Sequence, residues 1–168
     1  MRALTTRFFF AAVLVAPAGL SAQAVPATAC LSVLDGHWRG PGLILNRSVI
    51  VEQRWAPALG GVFRELSMRH LSSADSATVQ FEGRGLYTGT KTDPKAIKGT
   101  WFDARGMMFP VEGRCEGGVF MTNWGSTDTE RGRTYYKLAS PTLLQVFDSV
   151  LMLDGKWREF GLSHLTRQ

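Results

Sequence analysis

Thr78-Val79-Gln80-Phe81-Glu82-Gly83-Arg84-Gly85-Leu86-Tyr87 is the stretch from which the fold is read. Side chains of an extended chain point alternately to opposite faces. Val79, Phe81 and Gly83 therefore share one face, and Gln80, Glu82 and Arg84 share the other. Such alternation belongs to a strand with one dry and one wet side; a helix would spread these residues around its axis. The same period appears where Val111 stands against Glu112 and Arg114, and where Trp157, Glu159 and Gly161 alternate with Arg158, Phe160 and Leu162.

Outward from this stretch, runs rich in β-branched and aromatic residues recur, separated by Gly, Asn, Asp and Pro. They predict strands over 37–46, 48–55, 62–71, 78–87, 97–103, 107–115, 119–124, 133–139, 143–152 and 156–166. The separators, among them Ala58-Leu59-Gly60-Gly61, Thr92-Asp93-Pro94-Lys95, Gly117-Gly118 and Asp154-Gly155, hold residues that accept tight turns. Residues 59–70 carry a partial helical period, but Gly60-Gly61 opens the segment and it is read as strand. About ten short strands with short connections make an antiparallel meander, and closing it into an up-and-down β-barrel removes its exposed edges. The predicted fold is thus all-β, a single antiparallel barrel domain over 31–168, with a β-sandwich as the alternative.

The chain has 168 residues, 45% hydrophobic and 20% charged, the balance of one globular domain. No apolar run reaches the roughly 18 residues of a spanning helix, so no stable membrane span is expected. Two cysteines are too few for a disulfide-dense scaffold or a four-cysteine zinc site. Residues 1–24 read as a secretory signal peptide, with Arg2 and Arg7 at its start, an apolar centre over 8–16, and Ala22-Gln23-Ala24 as the cleavage site. Residues 25–30 follow as a tail, and the mature protein is expected in the periplasm or outside the cell. Loss of Arg2 and Arg7 lowers the formal net charge from +5 to +3. The remaining basic residues are scattered among acids, so no nucleic-acid partner is expected. After export, Cys30 and Cys115 could pair across 85 positions or stay as separate thiols.

Motifs with local catalytic spacing are absent: there is no Gly-x-Ser-x-Gly elbow, His-Glu-x-x-His, Cys-x-x-Cys or phosphate-binding glycine loop. His37, His70 and His164 are too far apart in sequence to form a local metal pair. No residue is assigned a catalytic role, no cofactor is required, and the chain reads more as a binder than as an enzyme. Trp55, Phe63, Tyr87, Trp101, Phe109, Met121, Trp124, Tyr135 and Phe147 supply aromatic and polarizable surface. Singly, each fits core packing; as a set they are the candidates to line an interior pocket.

Asp35-Gly36-His37-Trp38-Arg39 opens the first strand and Asp154-Gly155-Lys156-Trp157-Arg158 the last. In a ten-stranded meander these starts lie at opposite ends, each placing a tryptophan near a mouth or floor, with a core role expected of both. Gly36-x-Trp38 resembles the opening of lipocalins, and Gly36, Trp38, Gly40 and Gly42 match the Gly-x-Trp-x-Gly-x-Gly of nitrobindin-like haem-binding barrels. Further stretches are Trp55-Ala56-Pro57-Ala58-Leu59-Gly60-Gly61-Val62-Phe63, Gly85-Leu86-Tyr87, Gly99-Thr100-Trp101-Phe102-Asp103-Ala104-Arg105-Gly106 and Asp154-Gly155-Lys156-Trp157. In order and spacing they resemble a lipocalin-like, calycin-type family of exported bacterial proteins of unknown function. That resemblance implies a closed barrel whose interior holds an apolar or amphipathic small molecule. The nitrobindin-like similarity implies an alternative, a haem barrel acting on small nitrogen or oxygen species. His164 is the position that could inherit the iron-ligand role there. A filled barrel that acts through its surface is a third reading.

Overall fold

Ten strands follow one another along the chain: β1 (Gly36–Ile44), β2 (Arg47–Ala58), β3 (Phe63–Ser72), β4 (Val79–Gly89), β5 (Ala96–Asp103), β6 (Met108–Glu116), β7 (Val119–Gly125), β8 (Arg131–Ser140), β9 (Leu143–Leu151) and β10 (Trp157–Arg167). This computed structural model describes residues 30–93 and 95–168, so the predicted signal peptide and tail, Cys30 apart, lie outside the described residues. Each strand pairs antiparallel with its sequence neighbours, and β10 pairs with β1 to close the barrel. The expected up-and-down barrel is what forms, and the sandwich does not. Predicted and observed strands agree within a few residues at their ends. β2 runs on through Pro57 because its ladder to β3 continues through Pro57↔Arg64 and Ala58↔Phe63.

Strand direction gives the barrel two unlike ends. One end carries the turns after β1, β3, β5, β7 and β9; the other carries the N-terminal segment, the remaining turns and the C-terminus. Leu45 and Asn46, which join β1 to β2, have φ of 50° and 61°. Gly117 and Gly118, which join β6 to β7, have φ of 58° and 77°. Paired left-handed residues match the right-handed strand twist in a two-residue hairpin. Glycine does this without strain, whereas Leu45 is held there at a cost.

The second end is sealed. Ser32–Leu34 forms a 3₁₀ turn that puts Leu31 and Leu34 into the core. The Trp38 indole Nε1–H donates to the Leu34 carbonyl at 2.7 Å. The Arg167 guanidinium lies 4.1 Å over the Trp38 ring and donates to the Asp35, Val33 and Pro141 carbonyls. A disulfide joins Cys30 to Cys115 on β6, pinning this plug to the wall. Inside it, Trp38, Trp55, Leu66, Ile97, Phe120, Leu144 and Leu165 form a dry core. Trp157 is different from the core role expected of it: it lies on the outer surface at the opposite end, under the Arg133 guanidinium at 3.7 Å. Elsewhere the outer face carries ion pairs such as Arg39–Glu52 at 3.3 Å and Arg69–Glu52 at 2.6 Å. Exposed pairs of this kind add little to stability.

Candidate functional site

The inward positions of the strands define the wall of the lumen, and glycine decides how the rings lie on it. A Cβ on Gly83 would collide with Trp101, one on Gly85 with Tyr87, and one on Gly132 with Trp124. Each glycine lets a neighbouring ring fold flat against the wall instead of crossing the barrel. A cup of about 570 Å³ remains in the half opposite the plug. Its floor is formed by Tyr87 and Tyr136, which rest on Trp55 with ring centroids 5.5 and 5.2 Å away. Its wall includes Trp101, Phe109, Val111, Trp124 and Val146, and its rim includes Ile44, Leu45, Phe81 and Phe160.

Polar groups interrupt this surface at a few points. Thr134 Oγ1–H donates to Asp148 Oδ1 at 2.7 Å and accepts from Trp124 Nε1–H at 3.2 Å. Burial pushes the Asp148 carboxyl up to about 6, against the opposing pull of the Thr134 hydroxyl. The His70 imidazole lies against Phe81 at 5.2 Å, and burial holds it down at about 4, so it is neutral at pH 7. The Tyr87 and Tyr136 hydroxyls hydrogen-bond each other, and burial raises both phenols far above their ordinary value. At the rim Arg105 reaches Asp103 and Glu130, each at 2.7 Å, and passes about 6.0 Å from the Phe81 ring centroid. Burial of Asp103 opposes its ionisation, but the Arg105 hydrogen bonds outweigh it and keep the carboxyl below its usual range. Arg105 thereby links the β5–β6 turn to the β7–β8 turn across one side of the mouth.

The structure brings four of the sequence candidates together: Tyr87, Trp101, Phe109 and Trp124 line the cup. Trp55 lies beneath the floor, fully buried, with its Nε1–H on Gln53 at 3.2 Å. Phe63, Met121, Tyr135 and Phe147 are corrections: they occupy the outward phase of their strands and line no part of the cup. Met121 alternates with inward Phe120 and Thr122, and Tyr135 with inward Thr134 and Tyr136, so the pleat sends them out. His164 is also on the outer face, exposed between buried Ser163 and Leu165. It does not fit a role as an iron ligand inside the barrel. His70 is the histidine that reaches the lumen, and sequence reasoning passed over it together with Asp148, Thr134 and Arg105. Asp148 had a visible signal, since Leu144, Val146, Asp148 and Val150 share one phase of a strand. An acid in an otherwise apolar inward phase marks a site.

No family model matches the sequence, and no curated protein matches it. Among solved structures, the chain is similar to Rv2717c from M. tuberculosis, with TM-score 0.69 and 16% identity over 86% of this chain and 98% of that one. It is also similar to the S-type phycobiliprotein lyase CPES from Guillardia theta, with TM-score 0.60 and 14% identity over 86% of this chain and 93% of that one. At such identities the likeness is one of fold, and this chain folds as a closed, ten-stranded, lipocalin-like barrel.

Proposed function

We propose that this protein is an exported small-molecule-binding barrel that holds an apolar or amphipathic ligand in its lumen. The observation that carries the reading is the cup itself, about 570 Å³, open at one end and sealed at the other. That volume is in the range of small-molecule sites, and its wall is mostly aromatic and aliphatic with a few polar groups. A filled barrel would have rings crossing the lumen; here glycines let Trp101, Tyr87 and Trp124 lie aside. The Cys30–Cys115 disulfide supports export, because such bonds persist in oxidising compartments.

The test is a native mass spectrum of the mature, disulfide-intact protein, purified without detergent, followed by a denaturing spectrum. The expected result is an added mass of roughly a few hundred daltons that disappears on denaturation. A haem mass would replace this reading with the haem alternative. A bare chain that gains no melting temperature with any apolar compound would contradict it, since a ligand stabilises the state it binds.

A further inference from the structure

Of the three carboxylates that line the cup, Asp103 and Glu130 at the rim are held by Arg105, and Asp148 lies deeper in the wall. Asp148, on β9, has Oδ1 satisfied by Thr134 at 2.7 Å. Its Oδ2 lies over Gly161 of β10, where a Cβ would stand 2.7 Å away, so only a glycine there leaves this rotamer free. No cation of the described residues pairs with it. Arg105 at the rim is engaged by Asp103 and Glu130. Arg47 is the other rim cation, and His70 is neutral. From the strands beside it, β8 presents Thr134 and Tyr136, and Tyr136 is bonded to Tyr87. A carboxylate enclosed in this way is costly unless a partner completes its hydrogen bonding, and the open lumen is where that partner can come from.

We infer that Asp148 receives a protonated nitrogen of the ligand, so that the cup takes an organic cation, an ammonium on an aromatic or alkyl body. The inference rests on the reading of the cup as a ligand site and adds the charge of the occupant. The geometry supplies both halves of such recognition. Asp148 gives a charge-assisted hydrogen bond. The faces of Trp101, Trp124 and Phe109 give apolar contact and attract a cation through their quadrupoles.

Three probes of one shape separate charge from shape: 1-naphthylmethylamine, 1-naphthalenemethanol and 1-naphthoate, titrated calorimetrically into the full mature protein at neutral pH. The amine should bind about tenfold or more tighter than the alcohol, as one charge-assisted bond implies, and the naphthoate should bind weakest. Asp148→Asn, which keeps an acceptor for Thr134, should lose the preference for the amine over the alcohol. In the wild type the preference should fade as pH drops through about 6, where Asp148 is protonated. That series needs no variant, so a misfolded Asp148→Asn would not block the test. Equal binding of all three probes, or tightest binding of the naphthoate, overturns the inference and leaves the cup reading standing. No binding of any probe to the wild type removes the cup reading and the inference with it.

Discussion

Burial holds the Asp148 carboxyl at about 6, above its ordinary 3.8, and the His70 imidazole at about 4, below its ordinary 6.5. The two groups line the same cup and answer acid in opposite senses. Asp148 has a raised folded value, so its stabilising contribution is complete below about 3.8 and is lost as pH rises through about 6. His70 has a depressed folded value, so its contribution is complete above about 6.5 and is lost as pH falls through about 4. Asp148→Asn is therefore expected to be more stable than the wild type at pH 7, by about 2–3 kcal/mol from the size of the displacement. Urea unfolding across this pH range should show the difference shrinking toward pH 4, and a constant or reversed difference would contradict the assignment. His70→Gln should be less sensitive to acid than the wild type over the same range. Gly132 belongs to this scale as well. Gly132→Ala drives a Cβ into the Trp124 ring, so Trp124 must swing toward the lumen. A loss of about 1–3 kcal/mol and a smaller cup are expected, read by melting and by weaker binding of an apolar dye. Unchanged melting and binding would mean that the ring has room elsewhere.

The strands show what can be read in the sequence and what cannot. β4 is legible because Phe81, Gly83, Gly85 and Tyr87 share one phase and Gln80, Glu82 and Arg84 share the other. β7, β8 and β9 are legible as strands but not as to which face is inside. Their outer face carries its own apolar row, Met121↔Tyr135↔Phe147, which continues to Leu162 on β10. With apolar residues on both faces, hydrophobicity no longer names the inner one, and nothing local shows that Met121 and Tyr135 face out. The inner glycines mislead in another way. Within a strand glycine reads as a weak spot, whereas here its lack of a side chain makes room for a ring. The plug was legible only in part, since Cys30 and Cys115 suit either a bond or two thiols. Replacing both by Ser should lower the melting temperature, the chain-entropy model giving about 4–5 kcal/mol for a loop of 85. Far-UV dichroism should keep its strand signal, because the ten-strand ladder closes through β1 and β10 without the bond. Loss of that signal would show that the plug holds the barrel together rather than merely sealing it.

At the scale of the molecule, the polarity of the barrel matters most. Barrel diameter grows with strand number, and about eight strands already enclose a lumen that side chains just fill. Ten strands enclose more, and the chain spends the extra width unequally. Trp38, Trp55, Phe120 and Leu144 fill one half beneath the N-terminal plug, and flattened rings leave the other half open. The closing register, Trp38↔Arg167 at the sealed end and Ile44↔Gly161 at the open end, sets β10 against β1 along this axis. The closure shows in no local stretch of sequence, because it depends on residues over a hundred positions apart. The central claim, that the open half takes a small molecule, is tested most directly by titrating the neutral dye N-phenyl-1-naphthylamine into the wild type and into Val150→Trp. Val150 lines the cup near its mouth, and an indole there fills the lumen while leaving the outer face untouched. The wild type should show saturable, one-to-one fluorescence enhancement, and a cooperatively melting Val150→Trp should show none. Absence of a saturable site in the wild type, or equal binding by the blocked variant, would contradict the account.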